Sequence, residues 1–185
     1  MTWSVLRATV RDADACRALL EAASTPEAGP LGSVSWHHPR VARVVASDAA
    51  AGRLYTVTDA TGALIATFAV CDEADPYFAG VPWEAPEAPA RYLHRLAVSP
   101  ALQGGGIGAW CLERAEQIAA AEGARYLRLD ALQKVERALR FYLREGYTHR
   151  AVVWVESGEP AQPLVPLACF ERPVLLSGTG AKRDT

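Results

Sequence analysis

The sequence predicts an α/β (α+β) fold, a single domain on one mixed sheet flanked by helices, and three observations carry that prediction. First, residues 92–132 change character repeatedly: Tyr92 to Val98 alternates and then runs apolar, Ser99-Pro100 stops it, glycines crowd Gly104 to Gly108, Ile107 opens a helical period, and Tyr126 to Leu132 is strand-like again. A strand, helix and strand joined this way form a right-handed parallel unit. Second, Leu54–Thr58 and Ala63–Cys71 flank the turn Asp59-Ala60-Thr61-Gly62, an antiparallel hairpin with the right turn chemistry. Third, 185 residues at 50% hydrophobic content suffice for one substantial core and leave little for a second domain. The domain is expected over residues 1–176, and 177–185, small and polar, is expected to be a disordered tail.

Trp3 to Ala8 reads as a short strand. Asp12 then caps a helix through Ser24 whose apolar positions Cys16, Leu19, Leu20 and Ala23 recur at helical spacing, until TPEAGPLGS breaks it. A second helix spans about Pro39 to Ala51, with Val41, Val44 and Val45 on one side and Gly52 as its stop. Between them lie Trp36, a core anchor, and His37 and His38, surface residues. After the hairpin, Asp72 to Ala90 fits neither period; it is rich in proline and acids and carries Tyr77, Phe78 and Trp83. That is longer than the usual connection of about four to six residues.

The helix after the glycines places Ile107, Cys111, Ala115, Ile118 and Ala119 inward, turns Glu113, Arg114, Glu116 and Gln117 outward, and ends at Gly123. A further helix runs from Val135 to Glu145 and closes at Gly146. Tyr147–Glu156 and Leu167–Arg172 are late strands joined by SGEPAQPLVP.

A net charge of −2 and a pI near 6.1 provide no basic field for nucleic acid and no polybasic membrane patch, so any phosphate has to be held locally. There is no apolar run of signal-peptide length and none approaching about 20 residues, which predicts a cytoplasmic protein with no membrane span. Cys16, Cys71, Cys111 and Cys169 lie far apart with no zinc spacing; no metal is expected, and the thiols read as small buried hydrophobes.

A strand, a glycine turn and a helix start make an anion site, because the first helical N–H groups lack carbonyl partners and the helix dipole adds roughly half a positive charge there. A Walker loop is excluded, since Gly108 is followed by Ala109 and Trp110 rather than Lys and Ser or Thr. Gly104, Gly106 and Ala109 fit G-x-G-x-x-A, with Asp130 about twenty residues on as a ribose-binding acid would be. That fingerprint belongs to the first βαβ unit of a doubly wound sheet, and here it begins past mid-chain with too little sequence left for the remaining units.

Gln103, Gly106 and Gly108 also form Q-x-x-G-x-G after Leu96-Ala97-Val98, and Ala138, Phe141, Tyr142, Gly146 and Tyr147 fit A-x-x-F-Y-x-x-x-G-F/Y. In that order and separation, the two motifs resemble the GNAT superfamily of acyl-CoA-dependent N-acetyltransferases. The resemblance implies a mostly antiparallel sheet with a central, splayed parallel strand pair, and acetyl-CoA as cosubstrate. The backbone of Leu96, Ala97 and Val98 would pair with the pantetheine arm, and the amides of Gln103, Gly104, Gly105, Gly106, Ile107 and Gly108 would hold the pyrophosphate. Two departures stand out. Many family loops carry Arg or Lys where this one has Gly104 and Gly105, so a cation has to come from elsewhere or affinity falls; and Val135 replaces a cofactor-contacting asparagine, for which Gln133 or Lys134 could substitute.

The implied reaction transfers an acetyl group to a primary amine of a small molecule or peptide. An ammonium of pKa about 10 has to lose a proton first. His94 suits that work, with an unperturbed pKa near 6.5, and His94-Arg95-Leu96-Ala97-Val98 resembles the H-x-L-A-V of arylalkylamine N-acetyltransferases, although Tyr92 stands where those have a second histidine. Glu73, Glu84 and Glu87 are alternative bases. Tyr142 matches the family's acid, which reprotonates the CoA thiolate. Residues 72–90 read either as a lid over the acceptor site or as a surface insertion. A non-catalytic acyl-CoA sensor on the same fold is the second reading, and a homodimer stays open.

Overall fold

Seven strands form one sheet in the order β1 (Ser4–Arg7), β2 (Leu54–Thr58), β3 (Leu64–Cys71), β4 (Ala90–Val98), β5 (Tyr126–Leu132), β7 (Leu164–Pro173), β6 (Thr148–Glu156). The structure is a computed structural model describing residues 2–24, 36–158, 160 and 163–175. The expected tail and the break after the first helix lie outside the described residues. β4 and β5 run parallel, and every other neighbouring pair is antiparallel. Among the described residues no helix is long and apolar enough to cross a membrane.

The parallel ladder is short. It runs from Ala90 opposite Tyr126 to Leu93 opposite Leu129 and stops, although β4 continues to Val98 and β5 to Leu132. Beyond that point β4 stays paired to β3, down to Ala66 opposite Val98, and β5 stays paired to β7, down to Leu132 opposite Leu167. The centre of the sheet therefore splays into a cleft. On the β3 side, Thr67 pairs Ala97 while Ala69 pairs His94, so β4 carries one extra residue there, and Arg95 takes a left-handed φ of 55°. The bulge turns the Arg95 guanidinium onto Asp48, which is buried on the second helix.

Alternation assigns each face. Leu93, Leu127 and Leu129 point to one side and pack with Phe170 against Ile107, Cys111 and Leu112 of α3 (Ile107–Ala121), with Leu139, Phe141 and Tyr142 of α4 (Glu136–Arg144) beside them. The opposite face buries Tyr92 with Cys16 and Leu20 of α1 (Ala13–Ala23), Val41 and Val45 of α2 (Arg40–Ala50), and Phe78 and Trp83. Each Leu, Val or Phe so buried contributes about 1.5–3 kcal/mol. Trp36 packs against this second core, as expected for an anchor.

Three expectations change. Asp12 does not cap α1: its carboxylate accepts from Thr9 N–H and Oγ1, both at 2.8 Å, closing a capping box on the short 3₁₀ turn Val10–Asp12. Its own backbone is already helical, which leaves the side chain pointing back along the chain. Glu116 turns inward, where its Oε1 accepts from Tyr147 Oη at 3.0 Å and from Arg172 at 3.2 Å. Residues 72–90, read as a lid over the acceptor site or a surface insertion, are packed onto the sheet. Phe78 and Trp83 are buried, Arg128 Nη2 donates to the Ala85 carbonyl at 2.8 Å, and Glu84 N–H donates to Glu171 Oε1 at 2.6 Å. Arg128 also pairs with Glu171 at 3.2 Å, and both side chains are almost wholly buried. The backbone of Glu84 and Ala85 thus bonds to both members of a buried pair on the sheet, which holds the segment against it as a wall.

Candidate active site

The glycine loop lies at one edge of the cleft. Gly104 and Gly106 have φ of 85° and 84°, a region L residues rarely adopt, and a Cβ on Gly106 would point into open space in front of the helix. Gly108 serves another purpose, since a Cβ there would sit 3.2 Å from the Phe141 ring, so this glycine lets α4 pack closely on α3. The loop's amides divide as well. Gln103 and Gly105 N–H donate within the turn, to the Pro100 and Leu102 carbonyls, whereas those of Gly104, Gly106, Ile107 and Gly108 find no acceptor among the described residues. Of the six amides of residues 103–108, four are thus free of protein acceptors among the described residues.

Leu96, Ala97 and Val98 line the cleft with the β4 edge that no longer pairs with β5. The Val98 carbonyl accepts from Gln103 Nε2 at 3.2 Å, and Gln103 Oε1 accepts from Arg137 Nη1 at 2.9 Å. Val135 and Lys134 line a cavity of about 580 Å³ beside this bridge, together with Arg137 and Arg140. Gln133 lies apart from that lining, its Oε1 buried without a hydrogen-bond partner.

His94 and Asp130 are the first residues of β4 and β5 beyond the last paired position, and both fall on the face of the 72–90 wall. Tyr92 and His94 share that face, each ring lying against Phe78 with centroids 5.3 and 6.5 Å away. Tyr77 Oη is 2.8 Å from Asp75 Oδ2 and 3.1 Å from Asp130 Oδ1. The single phenolic proton is shared between the two carboxylates. Burial, with the negative charge of Asp75 adding to it against the Tyr77 hydrogen bond, raises the Asp130 carboxyl to about 6. The same burial and both acids hold the Tyr77 phenol far above its ordinary value.

His94 differs from expectation. Its Nε2 is 3.8 Å from Asp75 Oδ2, but burial and then the Arg95 charge outweigh that carboxylate and push the imidazole down to about 4. It is therefore neutral through the range where a pKa of 6 to 7 was expected. Tyr142, on α4 at the other side of the cleft, packs against Phe141, Tyr147 and Phe170. Burial and the charge of Asp130 raise its phenol, which stays protonated at neutral pH. Glu73, Glu84 and Glu87 are exposed; Glu73 faces Arg53 and Glu84 faces Arg150, and none touches His94, Asp130 or Tyr142 among the described residues.

Asp75, Tyr77, Asp130 and Arg137 were not singled out for this site from the sequence. For Asp130 a signal existed: alternation from Leu127 and Leu129 puts Arg128 and Asp130 on the opposite face, and an acid in an apolar strand is costly unless it is used.

The profile of the acetyltransferase (GNAT) family matches residues 17–147. Among solved structures, a GNAT family acetyltransferase of Streptococcus agalactiae superposes with a TM-score of 0.70 at 18% identity, covering 92% of this chain and 95% of its own. YncA of Salmonella typhimurium, solved with its cofactor acetyl-CoA, has a TM-score of 0.66 at 14% identity over 100% of both chains. The ribosomal-protein-S18-alanine N-acetyltransferase of Escherichia coli has a TM-score of 0.65 at 15% identity, covering 97% of this chain and 98% of its own. At these identities the likeness is one of fold. No curated protein sequence gives a significant match.

Proposed function

The chain belongs to the acetyltransferase (GNAT) family and takes acetyl-CoA as its cosubstrate, and on that premise we propose that it acetylates a primary amine of a small molecule or peptide. The reading is carried by one observation: where β4 and β5 part, the Asp75–Tyr77–Asp130 cluster on one face of the sheet lies across the cleft from the partly buried Tyr142 on the other. A cluster with two acids attracts an ammonium, and a carboxyl raised to about 6 is a better proton acceptor near neutral pH than an imidazole lowered to about 4.

In the proposed sequence the acceptor's ammonium loses a proton to Asp130, with Tyr77 and Asp75 sharing the charge and neutral His94 lining the site. The amine lone pair attacks the thioester carbonyl, a C–N bond forms and the C–S bond breaks. The Tyr142 hydroxyl gives its proton to the departing thiolate, which leaves as CoA, and the second proton of the acetylated nitrogen passes through solvent to the Tyr142 phenolate. Leu96, Ala97 and Val98 hold the pantetheine arm and the loop amides hold the pyrophosphate.

The test is CoA release across a panel of amines and N-terminal peptides, run beside acetyl-CoA binding by melting temperature, since a ligand selective for the folded state raises it. Release dependent on a primary amine is the expected result. Binding of acetyl-CoA with no amine-dependent release from any member of the panel would favour the non-catalytic sensor.

A further inference from the structure

The glycine loop offers main-chain dipoles and no side-chain charge, and a chain of net charge −2 has no general field to draw in a phosphate. The compensating charge comes from α4. Arg137 reaches across to Gln103 at 2.9 Å, and Gln103 in turn donates to the Val98 carbonyl, so one guanidinium is tied both to the loop's first residue and to the end of β4. Its partner is a neutral amide, which orients the guanidinium without cancelling its charge, and one hydrogen bond leaves its remaining donors for a second acceptor.

The surroundings have the same sign. The cavity of about 580 Å³ is lined by Lys134, Arg137 and Arg140 against a single acid, Glu136. Glu136 takes Arg140 at 2.8 Å, while Lys134 and Arg137 face no carboxylate among the described residues. Two uncompensated cations thus line a cavity that also includes Gln103, whose loop supplies the unpaired amides of Gly106 and Ile107. Lys134 just before α4 and Arg137 in its first turn place both of these charges beside the loop.

We propose that Arg137, supported by Lys134, is a phosphate-binding residue for the acyl-CoA, replacing from α4 the cation that Gly104 and Gly105 do not provide. This rests on acetyl-CoA being the cosubstrate. The phosphate is either the pyrophosphate or the ribose 3′-phosphate, which share the same dianionic, fork-matching chemistry.

Calorimetric titration of wild type and Arg137→Ala with acetyl-CoA, 3′-dephospho-acetyl-CoA and S-acetylpantetheine tests it. Arg137→Ala should weaken acetyl-CoA binding by about 10- to 100-fold, the range for charge-assisted hydrogen bonds, and should flatten the dependence of affinity on salt. S-acetylpantetheine, which has neither phosphate, should bind both proteins alike. A loss that persists with the dephospho ligand assigns the pyrophosphate, and one that vanishes assigns the 3′-phosphate. Equal affinity of the two proteins for acetyl-CoA, or an equal loss for S-acetylpantetheine, overturns the proposal. A wild type that binds no acetyl-CoA would instead overturn the reading beneath it.

Discussion

The glycine loop and the Asp75–Tyr77–Asp130 cluster lie at the same cleft, yet they are built in opposite ways. The loop gathers its donors from residues 103–108, uses main-chain atoms, and depends on two glycines with positive φ. The cluster brings together side chains distant in sequence, Tyr77 and Asp130 being 53 positions apart, and owes its chemistry to burial. A main-chain site binds what its backbone geometry admits and is insensitive to pH. A buried side-chain site can be tuned to titrate, and its pKa values record the environment more than the residue type.

That contrast can be broken at several points, and the largest effect should fall on the loop. Gly106→Val puts a branched residue at φ 84° and a side chain into the space in front of the helix, so the acetyl-CoA-induced rise in melting temperature should vanish. A variant that folds and keeps the full rise would mean that the amides do not hold the cofactor.

Tyr142→Phe comes next. It keeps the ring among Phe141, Tyr147 and Phe170 and removes only the hydroxyl. Acetyl-CoA affinity should survive while turnover falls about 10²- to 10⁴-fold, the span for general acid catalysis. Unchanged turnover would remove the phenol from the reaction.

Asp130→Asn should lower turnover about 10²-fold and abolish the rise in activity as pH passes through about 6, where the wild-type carboxyl loses its proton. Stability gives a second reading. The folded carboxyl is raised from an unfolded value near 3.9, so its contribution is present below about 4 and is lost as pH climbs to about 6. Thermal melts of wild type should therefore decline over that window relative to the Asn variant. Parallel melting curves from pH 4 to 7 would show that Asp130 does not titrate there.

The smallest effect is expected at His94. With its imidazole lowered to about 4 by burial and Arg95, His94→Gln should change turnover by less than about tenfold and leave the limb near pH 6 in place. Disappearance of that limb in the variant would return the base to His94.

What the sequence alone determined about this protein is whatever the backbone encodes over short distances. Ser99-Pro100 and the glycines ended one strand and started one helix, the Asp59 to Gly62 turn set the hairpin, and Gln103, Gly106, Gly108 and Tyr142 stood out through short motifs that resemble those of the family. These signals are local because φ preferences and hydrophobic periods are properties of neighbouring residues. The tertiary structure decided the rest. Asp130 was visible as an acid ending an apolar strand, but only the packing of Tyr77 and Asp75 over it gives it a partner and a raised pKa. Glu116 reads as an outward residue until Tyr147 and Arg172 arrive from distant strands, and His94 reads as a base at its ordinary pKa until burial and Arg95 depress it. Arg137 is one arginine among several on a short polar helix until the fold brings it to Gln103. Charge and burial act through space, where chain separation does not matter, and no reading of neighbours along the chain contains them.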